Sequence, residues 1–260
     1  MNWYHEVNKD WLEARLNYIT ATEIAKLVPA YKRSLKLEEG AIAPEFAALW
    51  AEKVSSQELD TVSYGAAARG HVMEWYAVES WNAKREDKLY HWDDAIITKG
   101  IVGFSPDAMN ESQVDDSVEF VARDHEIRST SVNYPQPKYI MEVKAYEPAH
   151  HMKCLVKDKM EQDELVQIAV AFYVLDYLEE AHLCFYCPSA PISMKVFSYT
   201  RDDLEVEIEL VSNIVERYRE TVKQCNELSS DLVSIFTEKE IYDAMIEEVE
   251  LNRKDNVFGF

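Results

Sequence analysis

Tyr139-Ile140-Met141-Glu142-Val143-Lys144 is a short apolar run that ends in an acid and a base two residues apart. Alternate side chains of a β-strand point to the same face. A strand here therefore projects Glu142 and Lys144 together and turns Met141 and Val143 the other way, into a core. Upstream, Gly103-Phe104-Ser105-Pro106-Asp107 is a second short run, closing in a turn and an aspartate. Taken alone, Glu-x-Lys also fits an exposed cross-strand ion pair, so the remaining residues must choose between a surface pair and a site.

The chain has 260 residues, 47% hydrophobic and 29% charged. That is the balance of a soluble globular protein and enough for one large domain or two small ones. The longest apolar stretch, Leu165 to Leu175, is interrupted by Gln167 and is too short to span a bilayer. The first residues, Met-Asn-Trp-Tyr-His-Glu, lack the basic-then-apolar pattern of a secretory signal. The expectation is a cytoplasmic protein with no membrane association. Cys154, Cys184, Cys187 and Cys225 are expected as reduced, partly buried thiols. A net charge of −21 argues against a general nucleic-acid-binding surface, because phosphate repels it. Any such contact must use a local basic patch and bound cations.

Trp11 to Leu16 reads as a short helix. Thr20 with Glu23 fits a capping box that opens a helix through Ile24, Ala25, Leu27 and Val28, broken at Pro29. A helix N-terminus beside Arg15 is either a phosphate seat or an ordinary cap next to a surface arginine. Residues 44–60 and 65–81 read as further helices, with Glu74 at the edge of the Met73, Ala77, Trp81 stripe. Two strands joined near Lys99-Gly100 are expected between Leu89 and Ser105. Residues 110–138, rich in acids and Ser with Pro135 and Pro137, read as a loop or insertion, with room for a hairpin around Val118 to Val121.

Beyond Lys144, residues 149–159 carry His150, His151, Lys153, Lys157 and Lys159, the densest basic stretch of an acidic chain. Glu161 to Leu178 reads as a buried helix. Gln167 inside it must be hydrogen-bonded, so it either satisfies a neighbour or faces a site. Ala181 to Tyr186 and Ile192 to Tyr199 read as strands. Leu204, Ile208, Val211, Val215, Tyr218, Val222 and Cys225 recur at alternating spacings of four and three, a near-heptad helix stripe for core packing or an oligomer contact. An acidic helix at about 237–251 follows.

Five segments, in order, resemble the lambda-exonuclease-like (YqaJ-type) branch of the PD-(D/E)xK nucleases. They are Trp11 to Ile24 (WLEARLNYITATEI), Gly70-His71-Val72-Met73-Glu74, Ser105-Pro106-Asp107, Glu142-Val143-Lys144, and Gln167 followed by Ala181 to Tyr186. The resemblance implies an α/β fold: a central mixed β-sheet flanked by helices, the restriction-endonuclease-like core. This forms a single domain over 1–260, with a core of about 11–200, the insertion at about 110–138, and extra N-terminal and C-terminal helices, the latter at about 203–251. It implies Glu74, Asp107, Glu142 and the Val143 carbonyl as metal ligands, Lys144 positioning or activating water, and Gln167 lining the site. Arg15 with Thr20 and Thr22 would hold a 5′-phosphate. The implied activity is 5′-to-3′ digestion of one strand of linear duplex DNA, leaving 3′ tails for annealing-type recombination, in a phage-borne enzyme. The implied partners are duplex DNA ends, two more copies of the chain in a trimeric ring, and a single-strand-annealing protein.

The chain departs from the family pattern at Ala108 and Asn17, where glycine is usual, at Trp75, where proline often stands, and in the length of the 110–138 insertion. Hard oxygen ligands suit Mg²⁺ or Mn²⁺, and such ions neutralise the attacking and leaving oxygens of phosphodiester cleavage. Two other readings compete. One is a non-catalytic DNA-end-binding or protein-interaction relative, against which the intact acids and Lys144 argue. The other is a nuclease with an iron–sulfur cluster, suggested by Cys184-x-x-Cys187. No cluster is expected, because no cysteine precedes Cys154.

Overall fold

The computed structural model describes residues 16–38, 40–55, 64–91, 96–110, 137–156 and 160–231. Arg15 and the rest of the expected helix before Leu16, residues 111–136 of the insertion, Lys157, Lys159 and the expected acidic helix at 237–251 lie outside the described residues. The chain divides into two compact units, Met1–Thr221 and Val222–Phe260. Both sheets and the candidate site belong to the first.

The chain enters through a two-residue strand, β1 (Ile19–Thr20), and turns into α1 (Ala21–Ser34). The expected capping box forms. The Thr20 hydroxyl accepts the Glu23 N–H at 3.4 Å, and the Glu23 carboxylate accepts the Thr20 N–H at 2.7 Å. Pro29 does not break this helix, as the sequence reading had it. The helix continues a full turn to Ser34, with Pro29 exposed and Leu27, Val28 and Ala30 buried. Proline removes one ladder bond, but packing of the apolar face holds the helix through it. Helices α2 (Pro44–Ser55) and α3 (Tyr64–Asn82) follow, then the short strands β2 (Tyr90–His91), β3 (Ile97–Lys99), β4 (Val102–Phe104) and β5 (Ala108–Met109). The β3–β4 hairpin turns at Gly100, whose φ of 61° is a left-handed conformation open to glycine.

The strands form two mixed sheets rather than one. The smaller has the order β1-β4-β3, with β1 parallel and β3 antiparallel to β4. The larger has the order β2-β5-β6-β7-β8, where β6 is Tyr139–Ala145, β7 is Glu180–Tyr186 and β8 is Met194–Tyr199. The chain passes from one sheet to the other at Ser105-Pro106-Asp107. Pro106 has no N–H to give a ladder, so it stands between strands rather than within one. Strand β6 pairs antiparallel with β5 and parallel with β7, Glu142 opposite Leu183 and Lys144 opposite Phe185. A parallel neighbour requires a crossover, here supplied by α4 (Pro148–Leu155) and α5 (Gln162–Val174).

Helices cover both faces of the larger sheet. On one, Ala77, Val78 and Trp81 of α3 pack with Leu89, Ala108, Met141, Val143, Cys184 and Tyr186. On the other, α5 is apolar nearly all round, with Val166, Ile168, Ala169, Val170, Ala171 and Phe172 buried. The expected helix to Leu178 stops at Val174. Arg201 Nη2, just after β8, donates to the carbonyls of Phe172, Leu175 and Asp176 at 2.8, 3.0 and 3.3 Å. Lys99 Nζ takes that of Tyr173 at 2.9 Å. Two cations thus satisfy the last carbonyls and the helix dipole there. A 3₁₀ turn, Asp202–Leu204, leads into α6 (Glu205–Asp231). Leu204, Val211, Val215 and Tyr218 of the near-heptad stripe are buried, as is Cys225 in the second unit, so that stripe serves core packing. Among the described residues no helix is long and apolar enough to cross a membrane.

Candidate active site

Strand β6 places its residues as the two-residue period requires. Met141 and Val143 are buried under α3, while Glu142 and Lys144 share the opposite face, their side chains 19% and 20% exposed. Lys144 Nζ donates to Glu142 Oε1 at 2.8 Å and to Gln167 Oε1 at 2.7 Å. The Glu-x-Lys pair is mostly buried rather than a surface ion pair, and the Gln167 amide oxygen accepts from Lys144.

Asp107 is pinned beside them. Its N–H donates to the Met141 carbonyl at 3.1 Å, and its Oδ2 accepts the Val143 N–H at 2.6 Å. The aspartate thus takes the β6 groups on either side of Glu142 just before β5 begins. Burial first, then repulsion from Glu142 and from Glu74, pushes its carboxyl well above the usual carboxylate range, while the Val143 N–H and Lys144 pull the other way. Burial pulls the Lys144 ammonium down, but the Glu142 carboxylate hydrogen-bonded to it and nearby Asp107 outweigh that, so its pKa lies above the ordinary lysine value.

Glu74 arrives from α3, one turn before Val78, close enough for its charge to act on Asp107. Asp107 thus stands between two other acids, Glu142 and Glu74, with Lys144 bonded to Glu142. Among the described residues, no three acid, histidine or cysteine side chains converge tightly enough to make a finished metal cage. The donor chemistry nevertheless fits a hard divalent ion. The acids are hard oxygen donors, their mutual repulsion is not offset by Lys144 alone, and a cation relieves that repulsion.

The expected phosphate seat is only partly described. The Thr20 hydroxyl is engaged in its cap with Glu23, whose other oxygen holds Lys53 at 2.8 Å. Thr22 is exposed in the first turn of α1. The expectations on β6 stop at Lys144. Tyr146, just past the end of β6, is half-buried and within electrostatic reach of Lys144 and Glu164. All four cysteines are free and buried, and burial pushes the Cys184 thiol up to about 12.

This arrangement of elements recurs in solved exonucleases. An alkaline exonuclease (LHK-Exo) from Laribacter hongkongensis superposes with a TM-score of 0.58 at 17% identity, over 87% of this chain and 100% of that one. LHK-Exo in complex with dAMP gives 0.59 at 17%, with the same coverage. A phage-related exonuclease from Haemophilus somnus 129PT gives 0.53 at 13%, over 83% of this chain and 96% of that one. No protein-family model and no curated protein matches the chain. The chain has the fold of these exonucleases, the architecture that the lambda-exonuclease-like resemblance implies.

Proposed function

We propose that this chain is a metal-dependent DNA exonuclease that degrades one strand of linear duplex DNA from its 5′ end. The observation that carries the reading is the buried Asp107 carboxyl, pinned to β6 beside Glu142 and flanked by Glu74, with Lys144 locked between Glu142 and Gln167. Glu74, Asp107, Glu142 and the Val143 carbonyl would hold Mg²⁺ or Mn²⁺, which supplies charge neutralisation at the attacking and leaving oxygens. Glu142 and nearby Asp107 hold Lys144 charged, so in this reading it orients water and offsets phosphate charge. Gln167 fixes the direction of that ammonium. Thr22, with Arg15, would receive the 5′-phosphate at the start of α1. One structure of this fold holds dAMP, and a deoxynucleoside monophosphate is what stepwise hydrolysis of DNA releases.

The biological setting is part of the same proposal. The 3′ tails left behind would feed an annealing-type recombination protein of a phage, acting in the cytoplasm of its host. Digestion of linear duplex DNA, with 5′-phosphate or 5′-hydroxyl ends and with Mg²⁺ or EDTA, tests the reading directly. Mg²⁺-dependent release of mononucleotides from phosphorylated 5′ ends is expected. Undiminished activity in EDTA, or none on any DNA, ends it. Arg15→Ala should reduce the preference for phosphorylated ends, and an unchanged ratio would remove Arg15 from the seat.

A further inference from the structure

Tyr146 stands just past the end of β6, two residues beyond Lys144. Its ring stacks on that of His150, the centroids 4.1 Å apart and the planes 23° from parallel. A second ring, Phe185 of β7, lies 5.9 Å from Tyr146 on the neighbouring strand. Helix α4 is sharply divided. His151 and Cys154 are wholly buried, and His151 Nε2 is held by the Ile192 carbonyl at 2.7 Å. His150 and Lys153, three residues apart on the other side, are exposed. Two adjacent histidines thus have opposite fates: one is structural, the other is presented to solvent against a ring that borders Lys144.

We propose that His150 is a DNA-contacting residue, that its imidazole donates an N–H to a backbone phosphate of the bound strand next to the one being cut, and that Tyr146 positions it. This rests on the nuclease reading above and deepens it. An imidazole carries at least one N–H donor whether neutral or charged, so it can hold phosphate without adding to a charge cluster. In a chain of net charge −21, long-range attraction for DNA has the wrong sign. Short-range donors fixed in place must supply the contact instead. A ring stacked on a half-buried tyrosine has lost most of its freedom before the strand arrives, so less is lost on binding. Lys153, one turn along, extends the same line of donors away from Lys144.

Binding and cleavage are measured separately: the Kd of a fluorescent, 5′-phosphorylated duplex in Ca²⁺, and kcat and KM in Mg²⁺. His150→Ala should raise Kd and KM roughly tenfold, the worth of about one hydrogen bond to a charged group, with the loss falling on KM rather than kcat. Tyr146→Phe keeps the stack and should bind as wild type. Tyr146→Ala should match His150→Ala, and the double variant should be no worse than either single one. If His150→Ala binds like wild type while the wild type cuts DNA, the inference falls and the nuclease reading stands. A wild type that binds DNA but does not cut, with binding lost in His150→Ala, would sink the nuclease reading and keep the contact. If the wild type neither binds nor cuts, both fall. A full additive loss in the double variant would show that Tyr146 does not act through His150.

Discussion

Asp107 shows how a residue can oppose the fold and serve the site. Its carboxyl is disfavoured by burial and by two neighbouring acids, and only the Val143 N–H and Lys144 favour its charge. Asp107→Asn keeps an oxygen for the Val143 N–H and removes the repelled charge. We expect this variant to lose DNA hydrolysis by at least about a hundredfold, as removal of a group stabilising transition-state charge does, while melting in EDTA at or above the wild-type temperature. Lys144→Ala should also lose activity but melt lower, because it leaves Glu142 without its partner. Wild-type digestion by either variant would remove the assignment. His182 gives a pH prediction of the opposite kind. It lies 2.9 Å from Ser198 Oγ and 3.8 Å from Glu180 Oε1. The second contact is an ion pair only if the ring is protonated. Burial first, with Arg85 assisting, holds its pKa below the usual value despite Glu180, so the ring is neutral and bonded to Ser198. A base with a depressed folded pKa contributes stability above its unfolded pKa of about 6.5 and loses it as pH falls below that. Urea titrations of His182→Gln should therefore lose less stability than wild type between pH 7 and 5. An unchanged slope would mean that folding leaves the pKa of this ring unshifted.

Strand β4 and the end of helix α5 rest on close contacts with residues outside themselves. A Cβ at Gly103, in the middle of the small sheet, would meet Ile96 Cδ1 at 2.4 Å and Tyr18 Cβ at 2.9 Å. The isoleucine tip can swing aside, but the tyrosine Cβ moves only with its backbone. Gly103→Ala should cost about 1–3 kcal/mol, the range for overpacking, and should weaken the segment that delivers Asp107 just past the end of β4. Arg201→Ala strips three carbonyls at the end of α5 of a charged donor and should cost about 2 kcal/mol. Chemical denaturation measures both. An Arg201→Ala variant as stable as wild type would mean that water replaces the guanidinium without loss.

The −21 charge bears on assembly. At physiological salt, screening leaves about 8 Å of electrostatic reach, and the net field repels phosphate. A closed ring of three copies around the duplex would keep the enzyme on its track with few attractive contacts, among them Lys153 and the stacked His150. Light scattering on the purified protein is expected to return a trimer mass, and processive digestion should follow. A monomer across micromolar concentrations, or release of DNA after every few nucleotides, would dismiss the ring. The buried stripe of α6 is used within the fold, so the contacts of such a ring would have to come from other surfaces.

Local periodicity was enough to place Glu142 and Lys144 on one face and Met141 and Val143 in the core, because strand alternation is a property of the backbone alone. The Thr20–Glu23 cap and the turn at Gly100 were legible for the same reason: both partners lie within three residues of each other, or within one dihedral angle. The end of α5 was not, because the donor that caps it lies 29 residues beyond Phe172, at Arg201. Nor did Pro29 reveal that tertiary packing would carry α1 past it. The joining of Asp107 to β6, the approach of Glu74 from α3 and the split into two sheets all depend on elements far apart in the chain. No short-range pattern encodes which buried charges will face each other. That is set when α3 and α5 close on the two faces of the sheet and bring Asp107, Glu142, Lys144 and Gln167 together.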